Sequence, residues 1–254
     1  MNGGLSTFRS SLARRGWRAT LLLSITYPHQ IALRAIYRLR ERRRVQKLKA
    51  GLRAFDERFG VETAIESTIA ELGVASPNVQ AHAYVAVSEE NFTLAMATLE
   101  IPYEDFVFVD LGSGKGKALL LASEYPFRQI IGVELSPVMN RIAVENIARY
   151  RSPMQRCRQI ESIHQDATKF EYPISPLVIF MYNPFGPDLL GSVLDRLERS
   201  LTDHPRLWVV VMLYPLWAQV VRDRGNFVES AGGEFFATFR YRADPRWHRA
   251  TGEV

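Results

Sequence analysis

Residues 107–117, VFVDLGSGKGK, constrain the fold more than any other stretch of this 254-residue chain. Phe106, Val107, Phe108 and Val109 lead into Asp110, and glycines then fall at alternate positions 112, 114 and 116. Glycine tolerates positive φ and lets other groups approach the main chain. The run therefore reads as a buried strand that turns sharply into a helix.

The pattern repeats downstream. Strand-like runs at 106–110, 130–134, 159–164, 177–182 and 207–213 alternate with helical stretches at 118–124 and 138–150. Two further strands, 226–229 and 234–241, flank residues 230–233 and predict a hairpin. Repeated strand–helix units imply an α/β fold. The expectation is a Rossmann-like, seven-stranded, mostly parallel sheet with a C-terminal antiparallel hairpin, preceded by an N-terminal helical arm. Residues 63–72, ending at Gly73, and residues 91–99 read as helices before the sheet begins.

Charge divides the chain near residue 60. Residues 1–60 hold 14 Lys/Arg against 3 Asp/Glu, a net +11, which leaves 18 basic and 24 acidic residues, a net −6, for the remainder. Three regions follow: a basic helical arm (1–60), a helical lead-in (61–105) and a core (106–254). The arm also carries Trp17, Leu21, Leu22, Leu23 and Ile25, apolar groups suited to a membrane interface. An anionic membrane surface and RNA are both partners that residues 1–50 could meet. A cytoplasmic setting, membrane association and mitochondrial import each fit the Arg-rich, acid-poor start. The single cysteine, Cys157, allows no disulfide within the chain, and the five histidines share no metal-ligand spacing, so no metal site is expected.

Spacing tests what the glycine loop holds. A phosphate-binding P-loop needs glycine at 111 and a hydroxyl residue after the lysine, but Leu111 stands there and Ala118 follows Lys117. The dinucleotide fingerprint needs a small residue at 117, where the chain has lysine. The remaining form is Asp-x-Gly-x-Gly-x-Gly, with Glu134 closing the second strand and Asp166-Ala167 following the third. In that form and order the chain resembles the class I S-adenosylmethionine-dependent methyltransferases, over about residues 84–241. The resemblance implies S-adenosyl-L-methionine as cofactor, held by Asp110, Gly112, Ser113, Gly114 and Gly116. It further implies Glu134 on the ribose hydroxyls and Asp166 and Ala167 at the adenine. Tyr84 matches a tyrosine that relatives place before the first strand, although the hydroxyl residue expected after it is displaced to Ser88.

After the fourth strand comes Asn183-Pro184-Phe185, similar to the loop of methyltransferases that modify nitrogen. An amide oxygen can accept an N–H of the acceptor and aim its lone pair. Proline offers no competing N–H, and an aromatic ring can pack on the acceptor. Residues 178–187 also resemble the corresponding loop of the non-SET histone lysine methyltransferases, one residue shorter. A glycine loop of similar form occurs in the lysine methyltransferases of the ATP synthase c subunit. Together these imply transfer to a protein lysine with Asn183, Pro184 and Phe185 as catalytic residues. RNA base methylation, or a non-catalytic cofactor-binding scaffold at a membrane surface, is the alternative. The oligomeric state is left open.

Overall fold

The computed structural model describes residues 43, 45–64 and 86–241. The chain divides into two compact units, Met1–Ala50 and Gly51–Val254. In the first, the described residues 43 and 45–50 are helical and exposed. The rest of the arm, Tyr84 and most of the helix expected over 63–72 lie outside the described residues.

In the second unit residues 51–59 are helical (α1), with Leu52 and Phe55 buried. Thr63 does not begin a helix as expected. The Asp56 carboxylate accepts hydrogen bonds from Thr63 N–H (2.7 Å), Thr63 Oγ1 (2.6 Å) and Ala64 N–H (2.7 Å), which ties residues 63 and 64 back to α1. Helix α2 (Glu89–Met96) starts on Ser88, whose side chain accepts from Asn91 N–H.

The sheet then forms in alternation with helices: β1 (Val107–Leu111), α3 (Lys117–Ala122), β2 (Gln129–Glu134), α4 (Pro137–Arg149), β3 (Ile160–His164), β4 (Leu177–Met181), α5 (Pro187–Asp203), β5 (Trp208–Leu213), α6 (Ala218–Arg222), β6 (Phe227–Gly232) and β7 (Phe236–Tyr241). The strand order is β3-β2-β1-β4-β5-β7-β6. The first five strands pair in parallel and β7 runs antiparallel to both β5 and β6.

Strands β1, β4 and β5 are buried along their whole length, so they read as continuous apolar runs. Successive side chains point to opposite faces. Val107, Val109, Ile179 and Val210 enter one core with α5, while Phe108, Val178, Phe180 and Val211 enter the other with α2 and α3. Helix α5 adds an element beyond those expected from the sequence. Its Leu190, Val193, Leu194, Leu197 and Leu201 are buried at helical spacing, and Pro187 opens its first turn.

The hairpin turn sits later than expected. A register shift between Glu229 and Ala231 leaves Ser230 as a bulge, so β6 continues to Gly232 and the chain reverses at 233–235. Strand order reverses on either side of β1 and β4, where an open α/β sheet leaves a crevice at the carboxyl ends of its strands.

Candidate functional site

Gly112, Gly114 and Gly116 all adopt positive φ (83°, 54° and 83°), as the sequence predicts for a turn that L side chains resist. Close packing sets the same requirement. A Cβ at Gly116 would lie 3.1 Å from the Ala143 Cβ on α4, and one at Gly112 would overlap the Pro184 ring. The glycine loop and the loop after β4 are thus in direct contact. A fourth glycine, Gly132 in mid-β2, belongs to the same construction. A Cβ there would meet Leu119 Cδ1 at 2.6 Å and Ser113 Oγ at 2.7 Å. A glycine interrupting an apolar strand was the available signal for it.

Glu134 closes β2 with its carboxylate turned to the loop. Oε2 accepts from Gly114 N–H (2.8 Å) and Oε1 from Ser136 N–H (2.7 Å). Each oxygen retains a lone pair for a further donor. Burial pushes the carboxyl above its ordinary range, and the hydrogen bonds from Ser136, Gly114 and Leu135 oppose that. Asp110, the one charged residue of β1, is buried, and its pKa is raised well above normal by burial first and by the nearby Glu134 second.

A raised carboxyl pKa means that the folded protein holds the proton more tightly than the unfolded chain. The stability that this group contributes is full below the ordinary carboxylate range and is lost as pH rises through the raised value. Asp110→Asn is therefore expected to melt roughly 2 °C or more above the parent protein at pH 7, a gap that closes on acidification. Thermal melts across pH check this, and a variant melting at or below the parent at pH 7 would contradict it.

Both lysines of the loop are committed elsewhere. Lys115 Nζ donates to Glu62 Oε1 at 2.8 Å and is buried. Lys117 lies over the Phe55 ring at 4.3 Å, and burial lowers its pKa to about 8. Buried Asn146 on α4 completes the clamp. Its side chain accepts from Glu62 N–H (2.8 Å) and donates to the carbonyls of Glu62 (3.0 Å) and Lys115 (2.9 Å). The loop is bolted to residues 55–62 and α4.

Asp166 caps a 3-10 turn, Ala167–Lys169, and its Oδ1 accepts from Thr168 N–H (2.9 Å) and Oγ1 (2.7 Å). Oδ2 faces only Lys169 Nζ at 4.0 Å, and Ala167 is buried beside it. Sheet order brings these residues, Glu134 and the glycine loop to neighbouring strand ends.

Asn183 follows β4 with φ 48°, a left-handed conformation that costs a non-glycine residue about 1–3 kcal/mol. Its Oδ1 is buried without a hydrogen-bond partner, as is Ser113 Oγ. Phe185 departs from its expected role, because its ring is buried in the core beneath α5. The ring positioned beside Asn183 in the chain is Tyr182, stacked on Tyr214 at 5.4 Å between centroids and 29° between planes. Burial pushes the Tyr182 phenol up to about 12, so it is neutral.

No family model and no curated protein matches the sequence. Solved structures do. The 23S rRNA methyltransferase ErmE is similar at TM-score 0.41 and 16% identity, over 62% of this chain and 69% of that one. Ribosomal protein L11 methylase from Lactobacillus delbrueckii subsp. bulgaricus is similar at TM-score 0.44 and 12% identity, covering 61% and 78%. Precorrin-6y C5,15-methyltransferase from Geobacter metallireducens GS-15 is similar at TM-score 0.46 and 15% identity, covering 67% and 97%. The chain itself has five parallel strands closed by an antiparallel hairpin, a glycine loop after β1 and a carboxylate ending β2.

Proposed function

We propose that this chain transfers a methyl group from S-adenosyl-L-methionine to a nitrogen, with a protein lysine side chain as acceptor. The observation that supports this most is the buried, unpartnered Asn183 Oδ1, on a loop whose proline presses against Gly112. A buried acceptor without a donor is costly and implies that a donor arrives with a ligand. The residues present fit the cofactor: three positive-φ glycines leave the main chain bare, Glu134 has lone pairs left for two hydroxyls, and Asp166 Oδ2 can take an amino group.

The bound cofactor supplies a methyl group on a sulfonium, already electrophilic. What remains for the protein is alignment. Asn183 Oδ1 accepts one N–H of a neutral amine, which fixes the direction of the lone pair. Pro184 has no N–H to compete for that oxygen. Held by the glycine loop, Glu134 and Asp166, the cofactor would supply the methyl group and keep the C–S electron pair on its sulfur, and the methylated amine would lose its extra proton to solvent. Asn183 acts by orientation and takes no proton from the amine.

Glu134→Ala is expected to weaken cofactor binding at least about tenfold, since a charged bidentate contact contributes about 1.5–3 kcal/mol. Calorimetry with S-adenosylhomocysteine checks it, and unchanged affinity would take Glu134 out of the site. The acceptor class is tested by incubating the full chain with methyl-labelled cofactor and fractionated cell extract. Label entering protein, and blocked by prior reductive alkylation of lysines, supports the reading. Label confined to RNA would replace it with base methylation, the alternative that the +11 charge of residues 1–60 favours.

A further inference from the structure

Two of the described non-glycine residues have positive φ, Asn183 and Tyr214. They occupy equivalent places. Met181 of β4 pairs with Met212 of β5, so Asn183 and Tyr214 each lie two residues past a matched pair on adjacent parallel strands. Each is also followed by proline, Pro184 and Pro215. A residue before proline is driven toward extended backbone, so a left-handed conformation there is opposed twice. Such strain persists only where the surroundings over-determine it, and it concentrates at ligand sites.

The surroundings of Tyr214 do over-determine it. Its N–H donates to the Phe235 carbonyl at 2.8 Å, and its own carbonyl accepts from Leu216 N–H at 2.8 Å. Its ring stacks on Tyr182 and meets Phe235 at 5.6 Å. Its hydroxyl accepts from Asn91 Nδ2 at 3.1 Å, which ties it to the start of α2. Tyr214 and Tyr182 are each half-buried, packing on one side against the core beneath α2 and α3.

We propose that Tyr214 is an acceptor-positioning residue, the second wall of the slot that begins at Asn183, and that the slot takes a flexible alkylamine chain. This rests on reading the site as an S-adenosylmethionine-dependent N-methyltransferase. The two rings are already in contact, so a planar base cannot be sandwiched between them, whereas a methylene chain can lie along their exposed edges. Three independent ties hold the Tyr214 ring in place. A chain passing it loses little freedom beyond its own, and the amine at its end reaches the level of Asn183. The twin strained turns place hydrogen-bond acceptor and hydrophobic wall at the same height on neighbouring strands.

The test needs no knowledge of the natural acceptor. Two analogues of S-adenosylhomocysteine are compared, both with nitrogen in place of sulfur: one bears a methyl group on that nitrogen, the other a four-carbon aminoalkyl chain. The full-length protein should bind the chain-bearing analogue at least about tenfold more tightly, the gain expected from burying two of its methylenes. Tyr214→Ala should lose that gain while binding the methyl analogue as the parent does. Should Tyr214→Ala fail to fold, Tyr214→Phe and Asn91→Ala each remove only the hydroxyl tie, and both should cut the gain several-fold. Equal affinity of the parent for the two analogues, or an undiminished gain in the folded variants, overturns the proposal and leaves the cofactor site standing. Failure of the parent to bind either analogue overturns the cofactor reading instead, and this inference with it.

Discussion

Asn183→Ala is expected to bind S-adenosylhomocysteine as tightly as the parent and to transfer methyl at least about a hundredfold more slowly. The amide supplies only an acceptor for the incoming nitrogen, so its loss costs alignment in the transition state and nothing in cofactor affinity. Alanine introduces one complication, because it tolerates φ 48° less well than asparagine does. Asn183→Gly removes it. Glycine accepts that backbone without strain and also removes a buried carbonyl oxygen that has no partner. The glycine variant should therefore be at least as stable as the parent and equally slow. Thermal melts together with single-turnover transfer measure both quantities. Near-parental turnover in folded Asn183→Gly would remove Asn183 from the catalytic step and leave it a turn residue. Turnover that tracks melting temperature across both variants would say the same.

The second large effect is expected at Gly112→Ala. The added Cβ meets two obstacles at once: the backbone sits at φ 83°, and the new methyl falls on the Pro184 ring. Relief requires the glycine loop or the Asn183–Pro184 loop to move. Displacement of about 1 Å at reacting groups can cost about a hundredfold in rate. Gly112→Ala should accordingly lose cofactor affinity and turnover together, unlike either Asn183 variant. Gly225→Ala provides the control, with φ 68° and open space where its Cβ would go. That variant should carry only backbone strain, about 1–2 kcal/mol of stability, with turnover intact. If the two alanine variants behave alike in affinity and turnover, contact between the loops does not matter to function.

The stability gain expected for Asp110→Asn belongs with these results. Ionising a carboxyl buried in β1 beside Glu134 costs folding stability, and a residue that is retained against stability is commonly one that function requires. The twin left-handed turns at Asn183 and Tyr214 fall under the same reasoning.

What the amino-acid sequence determined by itself was local. Apolar runs of strand length, glycines at alternate positions, a carboxylate closing β2 and a second after β3 depend on neighbours within a few residues. Periodicity and turn chemistry report such neighbours faithfully. The sheet class and the closing hairpin followed from them, and so did the glycine loop, Glu134 and Asn183 as candidate residues. Helix α5 is legible in the same way, from the helical spacing of Leu190, Val193, Leu194, Leu197 and Leu201.

Only the tertiary structure decided which side chains meet across long separations. Nothing near Lys115 in the sequence names its partner, which the fold supplies as Glu62, 53 residues away. Phe185 reads as a substrate-facing ring until the core beneath α5 is found to enclose it. Gly112 against Pro184, and Tyr214 level with Asn183, arise from the pairing of strands that lie far apart in the chain. No periodicity encodes such contacts. They are set by strand order and register, which the whole chain determines through the burial of its two apolar faces.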